Sequence, residues 1–165
     1  YRHPETGDGP AIHQLVQDCA PLDLNSVYCY LLLASHFRDT CLVAETDGKR
    51  QMAGFVSAYF RPDEPDTLFV WQIAVHPDFR GRGIARGLLR ELLTALYQKG
   101  PPVYLELSVN PSNKASRTLF ESLAKNLETV LSERELFPES LLGDGHEAEI
   151  LLRIGPLPAS PNNSS

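Results

Sequence analysis

The stretch Val75-His76-Pro77-Asp78-Phe79-Arg80-Gly81-Arg82-Gly83-Ile84-Ala85 decides how the rest of the chain is read. Before it lies Leu68 to Val75, apolar except for Gln72, which reads as a central strand covered on both faces. After it, Ile84, Leu88, Leu92 and Ala95/Leu96 recur at helical spacing, and Gly100-Pro101-Pro102 ends the helix. Two glycines alternate with two arginines at the junction. Glycine lets the backbone approach a ligand closely, and the first N–H groups of a helix point with its dipole at one spot. That is an anion site suited to a pyrophosphate. Arg80 and Arg82 add charge-assisted donors. Close helix–sheet packing is the other use for Gly83. The turn lacks the Gly-Lys-Ser/Thr ending of a nucleoside triphosphate loop, and it follows a fourth strand, unlike a dinucleotide fold.

Working outward, residues 1–5 read as a truncated first strand, and Asp8 as the cap of a helix from about Pro10. Ser26 caps a second helix, Val27 to Phe37, apolar almost all round and so expected to be buried on more than one side. Strands are expected at Thr40–Glu45 and Gly54–Phe60, joined by a turn at Asp47-Gly48. Beyond the central helix, Val103–Val109 is a strand with Leu105, Leu107 and Val109 on one face and Tyr104, Glu106 and Ser108 on the other. Asn110-Pro111 opens a helix to about Lys125. Leu127–Leu131 and Glu147–Ile154 are the last expected strands, separated by an irregular stretch. Of the 13 prolines, Pro10 and Pro111 sit at helix starts and, apart from Pro4 in the first segment, the rest fall between these segments, which agrees with the boundaries.

Composition narrows the class. With 165 residues, 42% hydrophobic and 22% charged, the chain reads as one globular α/β domain over residues 1–157, with a disordered tail at 158–165. No apolar run is long enough for a bilayer and no secretion signal opens the sequence, so a cytoplasmic, non-membrane protein is expected. Cys19, Cys29 and Cys41 lack metal-ligand spacing and suit reduced thiols; no metal is expected. The net charge of -6 and the lack of any Lys/Arg-rich run argue against a nucleic-acid partner.

Ile73-Ala74-Val75-His76-Pro77 followed by Arg80-Gly81-Arg82-Gly83-Ile84-Ala85 resembles the acetyl-coenzyme A signature of the GNAT superfamily of N-acetyltransferases. Leu105-Glu106-Leu107 and Asn113-Lys114-Ala115-Ser116 to Leu119-Phe120 resemble its second conserved block. Three further segments are similar to the diaminobutyrate acetyltransferases of ectoine biosynthesis: Ala20–Leu31, Pro65–Pro77, and Gly145–Glu149 with Arg153. The resemblance implies a GNAT-like mixed, mostly antiparallel sheet of six to seven strands, about four helices on both faces, and a central splayed strand pair. It implies acetyl-CoA as co-substrate and a small-molecule diamino acid as acceptor, acetylated on its 4-amino group. Another small amine, such as a polyamine or aminoglycoside, is the alternative acceptor, and a non-catalytic acyl-CoA-binding module the alternative class. Dimers pairing through C-terminal strands are frequent in that superfamily, so a homodimer is one assembly to expect.

The same resemblance distributes the roles. Ile73 and Val75 would offer backbone bonds to the pantetheine arm, with Ala74 also on the cofactor side, and Gly81 to Ala85 would take the pyrophosphate. Asn113, Ser116 and Phe120 fall on the cofactor side. Phe120 aligns with a tyrosine that in this family often protonates the departing thiolate; lacking a hydroxyl, it leaves that task to Tyr28, Ser116 or water, or the thiolate departs unprotonated. An alkyl amine is mostly protonated at neutral pH, so a carboxylate or an ordered water must take its proton. Glu106 aligns with a glutamate that some of these enzymes use as base; the other reading is an ion-paired sheet residue. Asp23 and Glu149 are candidate partners for the two amines, with Tyr28 and Trp71 as walls and His146 orienting a carboxylate. Plainer readings stand beside these: Asp23 as a turn residue, Trp71 as core, Glu149 on a solvated face or dimer edge, His146 idle in a loop.

Overall fold

A computed structural model describes residues 1–47, 51–143 and 145–158. The turn expected at Asp47-Gly48 runs into residues outside that set, as does most of the expected tail. The strands are β1 (Cys41–Glu45), β2 (Met52–Phe60), β3 (Thr67–Val75), β4 (Tyr104–Val109), β5 (Leu131–Phe137) and β6 (Glu149–Ile154). The helices are α1 (Gly9–Gln17), α2 (Val27–Ser35), α3 (Ile84–Tyr97), α4 (Lys114–Asn126) and the short α5 (Glu139–Leu142). One sheet of order β1-β2-β3-β4-β6-β5 holds all six strands. Pairing is antiparallel for β1/β2, β4/β6 and β5/β6, and parallel for β3/β4. This is the mixed, mostly antiparallel α/β architecture expected from the sequence. The chain divides into two compact units.

The first unit comprises Tyr1–Tyr59 and Trp71–Leu96. Its core joins Ile12, Leu15 and Val16 of α1 to Tyr30, Leu33 and Ala34 of α2, with Val43, Phe55 and Ala74 from the strands. Ser26 caps α2 as its position predicts, its hydroxyl accepting the Cys29 N–H at 3.2 Å. The expected first strand is only a single bridge, Arg2 to Val43. Asp8 precedes α1 but makes no side-chain cap bond to it. Its carboxylate is taken instead by Arg2, at 2.7 and 3.0 Å, and by the Glu5 N–H at 2.7 Å. A charge-assisted pair outcompetes a helix cap here. Helix α2 is less buried than its apolar composition predicts: Val27 is 38% and Tyr28 69% exposed. With Leu24 they leave apolar surface open beside the helix start, the kind of surface that marks a ligand or partner contact.

The second unit comprises Phe60–Val70 and the described residues from Tyr97 on. Its parallel ladder runs from Thr67 opposite Tyr104 to Val70 opposite Leu107. Leu105 faces Ile154 and Leu107 faces Leu152 across β4 and β6, all four buried. Helix α4 begins three residues later than Asn110-Pro111 suggests. Asn110 instead closes a turn, its Oδ1 accepting the Asn113 N–H at 2.9 Å. Asn113 is the actual cap, accepting the Ser116 N–H at 3.1 Å. The strand expected at Leu127–Leu131 is displaced. Helix α4 continues to Asn126, Glu128 turns the chain at φ 51°, and β5 occupies Leu131–Phe137. That stretch reads as irregular because β5 is an edge strand whose middle, Ser132-Glu133-Arg134-Glu135, is exposed throughout.

Candidate active site

In the first unit, β3 leads through a short 3-10 turn, Pro77–Phe79, to Arg80-Gly81-Arg82-Gly83 and α3. Gly81 and Gly83 have φ of 74° and 77°, the left-handed region that L side chains rarely adopt. A Cβ at either would touch nothing within 4 Å, so the glycines are required by backbone conformation and not by crowding. The packing role considered for Gly83 is therefore not the reason for it. The first helical bond is Gly87 N–H to the Gly83 carbonyl at 2.9 Å. The amides of Ile84 and Ala85 thus have no intrahelical acceptor and present positive charge at the helix start. Arg82 lies over the Phe79 ring, 5.2 Å from its centroid. Arg80 folds back, its Nε donating to the Val75 carbonyl at 3.3 Å, and the Cys19 thiol donates to the same oxygen at 3.2 Å. Of the β3 backbone groups expected to face a pantetheine arm, the Val75 carbonyl is thus already occupied.

The amine-side candidates of this unit gather around α2 and the second half of β3. Asp23 is exposed on the segment before α2, and Tyr28 stands on the first turn. Trp71 is 47% exposed, so it is not core. Gln72, the polar residue in an otherwise apolar strand, ties these pieces together: its Nε2 donates to the Asp23 carbonyl at 2.8 Å, and its Oε1 accepts from the Tyr30 hydroxyl at 3.1 Å.

In the second unit Glu106 is 1% exposed. Its Oε1 accepts from Arg153 Nη1 at 2.5 Å and its Oε2 from Arg61 Nη1 at 2.8 Å. Arg153 also binds Glu64 at 2.8 Å and lies 3.9 Å from the Tyr104 ring centroid; Arg61 also binds Asp63 at 2.6 Å. Bonds to Asp63 and Glu106 hold the Arg61 guanidinium further into its protonated range, and Arg153 holds the Glu64 carboxyl below the usual carboxylate range. A base tuned by burial needs to lack a cation, whereas Glu106 has two. Of the two readings of Glu106, the geometry matches the ion-paired one.

Asn113 and Ser116 stand at the start of α4, half-buried, while Phe120 is 1% exposed and forms core. His146 is exposed, and Glu149 is half-buried where β6 begins, paired with Phe137. Neighbouring Glu147 accepts the Ser112 N–H at 3.2 Å. Sequence reasoning assigned no role to Gln72, Arg61 or Glu64, and placed Arg153 only within a similar segment. Gln72 carried a signal, a lone amide in an apolar strand. Arg61 and Glu64 carried none, since their partners are far away in the chain. Among the described residues, no group of three or more His, Cys, Asp or Glu side chains could hold a metal ion, and no helix is long and apolar enough to cross a membrane.

Comparison with known proteins agrees with this layout. The model of the acetyltransferase (GNAT) family matches residues 10–124. The chain is 48% identical over 163 residues to an L-2,4-diaminobutyric acid acetyltransferase of Bordetella parapertussis, covering 98% of this chain and 86% of that protein. It is 47% identical over 155 residues to the enzyme of that name from Chromohalobacter salexigens, covering 94% and 80%. Among solved structures, diaminobutyrate acetyltransferase EctA from Paenibacillus lautus, in complex with L-2,4-diaminobutyric acid and coenzyme A, matches with a TM-score of 0.87 and 41% identity over 94% of this chain and 93% of that one. With the glycine turn, the strand order and these matches in agreement, the chain belongs to the acetyltransferase (GNAT) family.

Proposed function

We propose that this protein transfers acetyl from acetyl-CoA to the 4-amino group of L-2,4-diaminobutyrate, giving N4-acetyl-L-2,4-diaminobutyrate, an ectoine-precursor step in osmoprotection. The observation that carries the reading is the near full-length likeness to a solved diaminobutyrate acetyltransferase holding both that amino acid and coenzyme A. The acyl-CoA module without turnover loses ground on the same likeness.

Acetyl transfer proceeds by direct amine attack in a ternary complex. The alternative, an acyl-cysteine intermediate, needs an activated thiolate. Burial pushes the thiols of Cys19 and Cys29 up and that of Cys41 up to about 12, so none is one. The amine nitrogen bonds to the thioester carbonyl carbon, a backbone N–H of β3 meets the oxyanion, and the carbon–sulfur bond then breaks. Before attack the substrate ammonium gives one proton to ordered water, because both oxygens of Glu106 are engaged by arginines, and the nitrogen gives water a second one from the tetrahedral intermediate. Tyr28, exposed on α2, returns a proton to the thiolate. Backbone groups of Ile73 and the N–H of Val75 receive the pantetheine arm, with Ala74 between them, and Gly81 to Ala85 with Arg80 and Arg82 receive the pyrophosphate. Asn113 and Ser116 complete the cofactor side, and Phe120 supports them from the core. Asp23 and Glu149 bind the amines, Trp71 walls the site, and His146 orients a carboxylate.

A single acetyltransferase domain over residues 1–157 is consistent with a family match that runs through segments of both units. A homodimer is favoured by the edge position of β5, beside exposed Val130 and Phe137. The three free cysteines suit the cytoplasm. The test is thiol release from acetyl-CoA with a panel of diamino acids, polyamines and aminoglycosides, and mass spectrometry of the product. Diaminobutyrate acetylated at N4 is expected to be the preferred product; preference for a polyamine or aminoglycoside, or no thiol release, overturns the assignment.

A further inference from the structure

Tyr30 is wholly buried on α2, yet its hydroxyl ends in a chain of hydrogen bonds that reaches the surface segment before that helix. Its ring is fixed by edge-on contacts with His13 and Phe55, at centroid distances of 6.0 and 6.2 Å. The Asn25 N–H donates to the Tyr30 oxygen at 3.3 Å, the Tyr30 hydroxyl faces Gln72 Oε1 at 3.1 Å, and Gln72 Nε2 faces the Asp23 carbonyl at 2.8 Å. Only one polarity satisfies this chain. The Asp23 carbonyl can only accept, so it must meet the amide NH2, which turns the amide oxygen toward Tyr30 and makes that hydroxyl the donor. Both ends of the Asp23–Asn25 segment are thereby held, one by its carbonyl and the other by its N–H, and the anchor is a residue locked in the core.

We propose that Tyr30 and Gln72 are positioning residues, a tether that holds the Asp23–Asn25 segment in the conformation that presents the Asp23 carboxylate to the substrate amine. The proposal rests on the reading of Asp23 as an amine ligand. Gln72 directly follows Trp71, so the tether also joins the strand bearing the aromatic wall to the segment bearing the carboxylate. Fixing a three-residue surface segment before substrate arrives removes an ordering cost that binding would otherwise carry, so its loss should appear in substrate affinity.

The test compares Tyr30→Phe, Gln72→Met and Asp23→Asn, singly and in pairs, for KM and kcat with L-2,4-diaminobutyrate, acetyl-CoA affinity and melting temperature. Tyr30→Phe keeps the packed ring and Gln72→Met keeps the length, so folding is retained and the melting curve verifies it. Each is expected to raise KM about five- to tenfold, the effect of losing one or two hydrogen bonds, while acetyl-CoA affinity stays unchanged. Because they act through one carboxylate, neither should raise KM further in the Asp23→Asn background. Unchanged KM in both tether variants, or effects fully additive with Asp23→Asn, overturns the tether. An unchanged KM in Asp23→Asn while Tyr30→Phe and Gln72→Met raise it instead overturns Asp23 as the amine ligand, and leaves the tether acting through the rest of the segment.

Discussion

Glu106 and Arg153 stand directly opposite each other on β4 and β6, with Arg153 Nη1 2.5 Å from Glu106 Oε1. Arg61 closes the other side of the carboxylate, so a fully buried charge in the sheet is matched by two guanidiniums that remain partly exposed. Burying a carboxylate without such partners would cost several kcal/mol. The arrangement gives Glu106 a reason to be charged that has nothing to do with abstracting a proton.

Glu106→Gln should therefore act on stability before it acts on chemistry. Removing one member of a buried pair costs about 3–5 kcal/mol. The loss here should fall at or below the low end, because Arg61 keeps Asp63 and Arg153 keeps Glu64. Urea denaturation reads that loss. At temperatures where the variant is folded, the pH dependence of kcat/KM should keep its position. A displaced or missing rise would instead make Glu106 the base.

Gly83→Ala tests the glycine turn. At φ 77° an L residue costs about 1–2 kcal/mol, and relief of that strain would swing the amides of Ile84 and Ala85 off their common target. Calorimetric titration with acetyl-CoA should show affinity at least about tenfold weaker, the equivalent of about 1.4 kcal/mol. Gly83→Asp adds a like charge facing the phosphates and should abolish binding. Unaltered affinity in both variants would place the diphosphate elsewhere.

How far the sequence disclosed this protein follows from how local each determinant is. The Arg80–Gly83 turn was legible because positive φ and helix-start amides are properties of a few adjacent residues. Ser26 was legible for the same reason. Strand β5 was not: Ser132-Glu133-Arg134-Glu135 carries no apolar alternation, and its pairing with β6 is what makes it a strand. Asn110 and Asn113 both suit a helix cap, and only the turn between them decides which one serves. The partners of Glu106 lie 45 and 47 residues away, beyond any local pattern, so its two readings stayed open until the strands were paired.

Acid should loosen the N-terminal segment in a predictable direction. The hydrogen bonds from Arg2 hold the Asp8 carboxyl below the usual carboxylate range. A lowered folded-state value means the contribution is complete above the unfolded carboxyl's titration, near pH 4, and is lost as pH falls through the lowered one. Arg2→Met should remove most of this dependence. Urea midpoints measured from pH 7 down to pH 2 should differ by a steady amount above about pH 4 and converge for the two proteins as pH falls below it. A constant offset at every pH would mean that Arg2 contributes by packing alone.

Trp71→Ala separates a wall from a core residue. A tryptophan packed in a core costs about 3–5 kcal/mol on truncation, far more than one with nearly half its surface in water. At 47% exposure, Trp71 should cost about 1 kcal/mol or less by urea denaturation. Its contribution should appear in substrate binding. A cation over an indole face gains about 0.5–2 kcal/mol, or roughly two- to thirtyfold in KM for diaminobutyrate, and Trp71→Phe should recover part of it. Acetyl-CoA affinity should move much less. A large stability loss with unchanged KM would return Trp71 to the plain role of packing, and would remove the aromatic wall from the amine site.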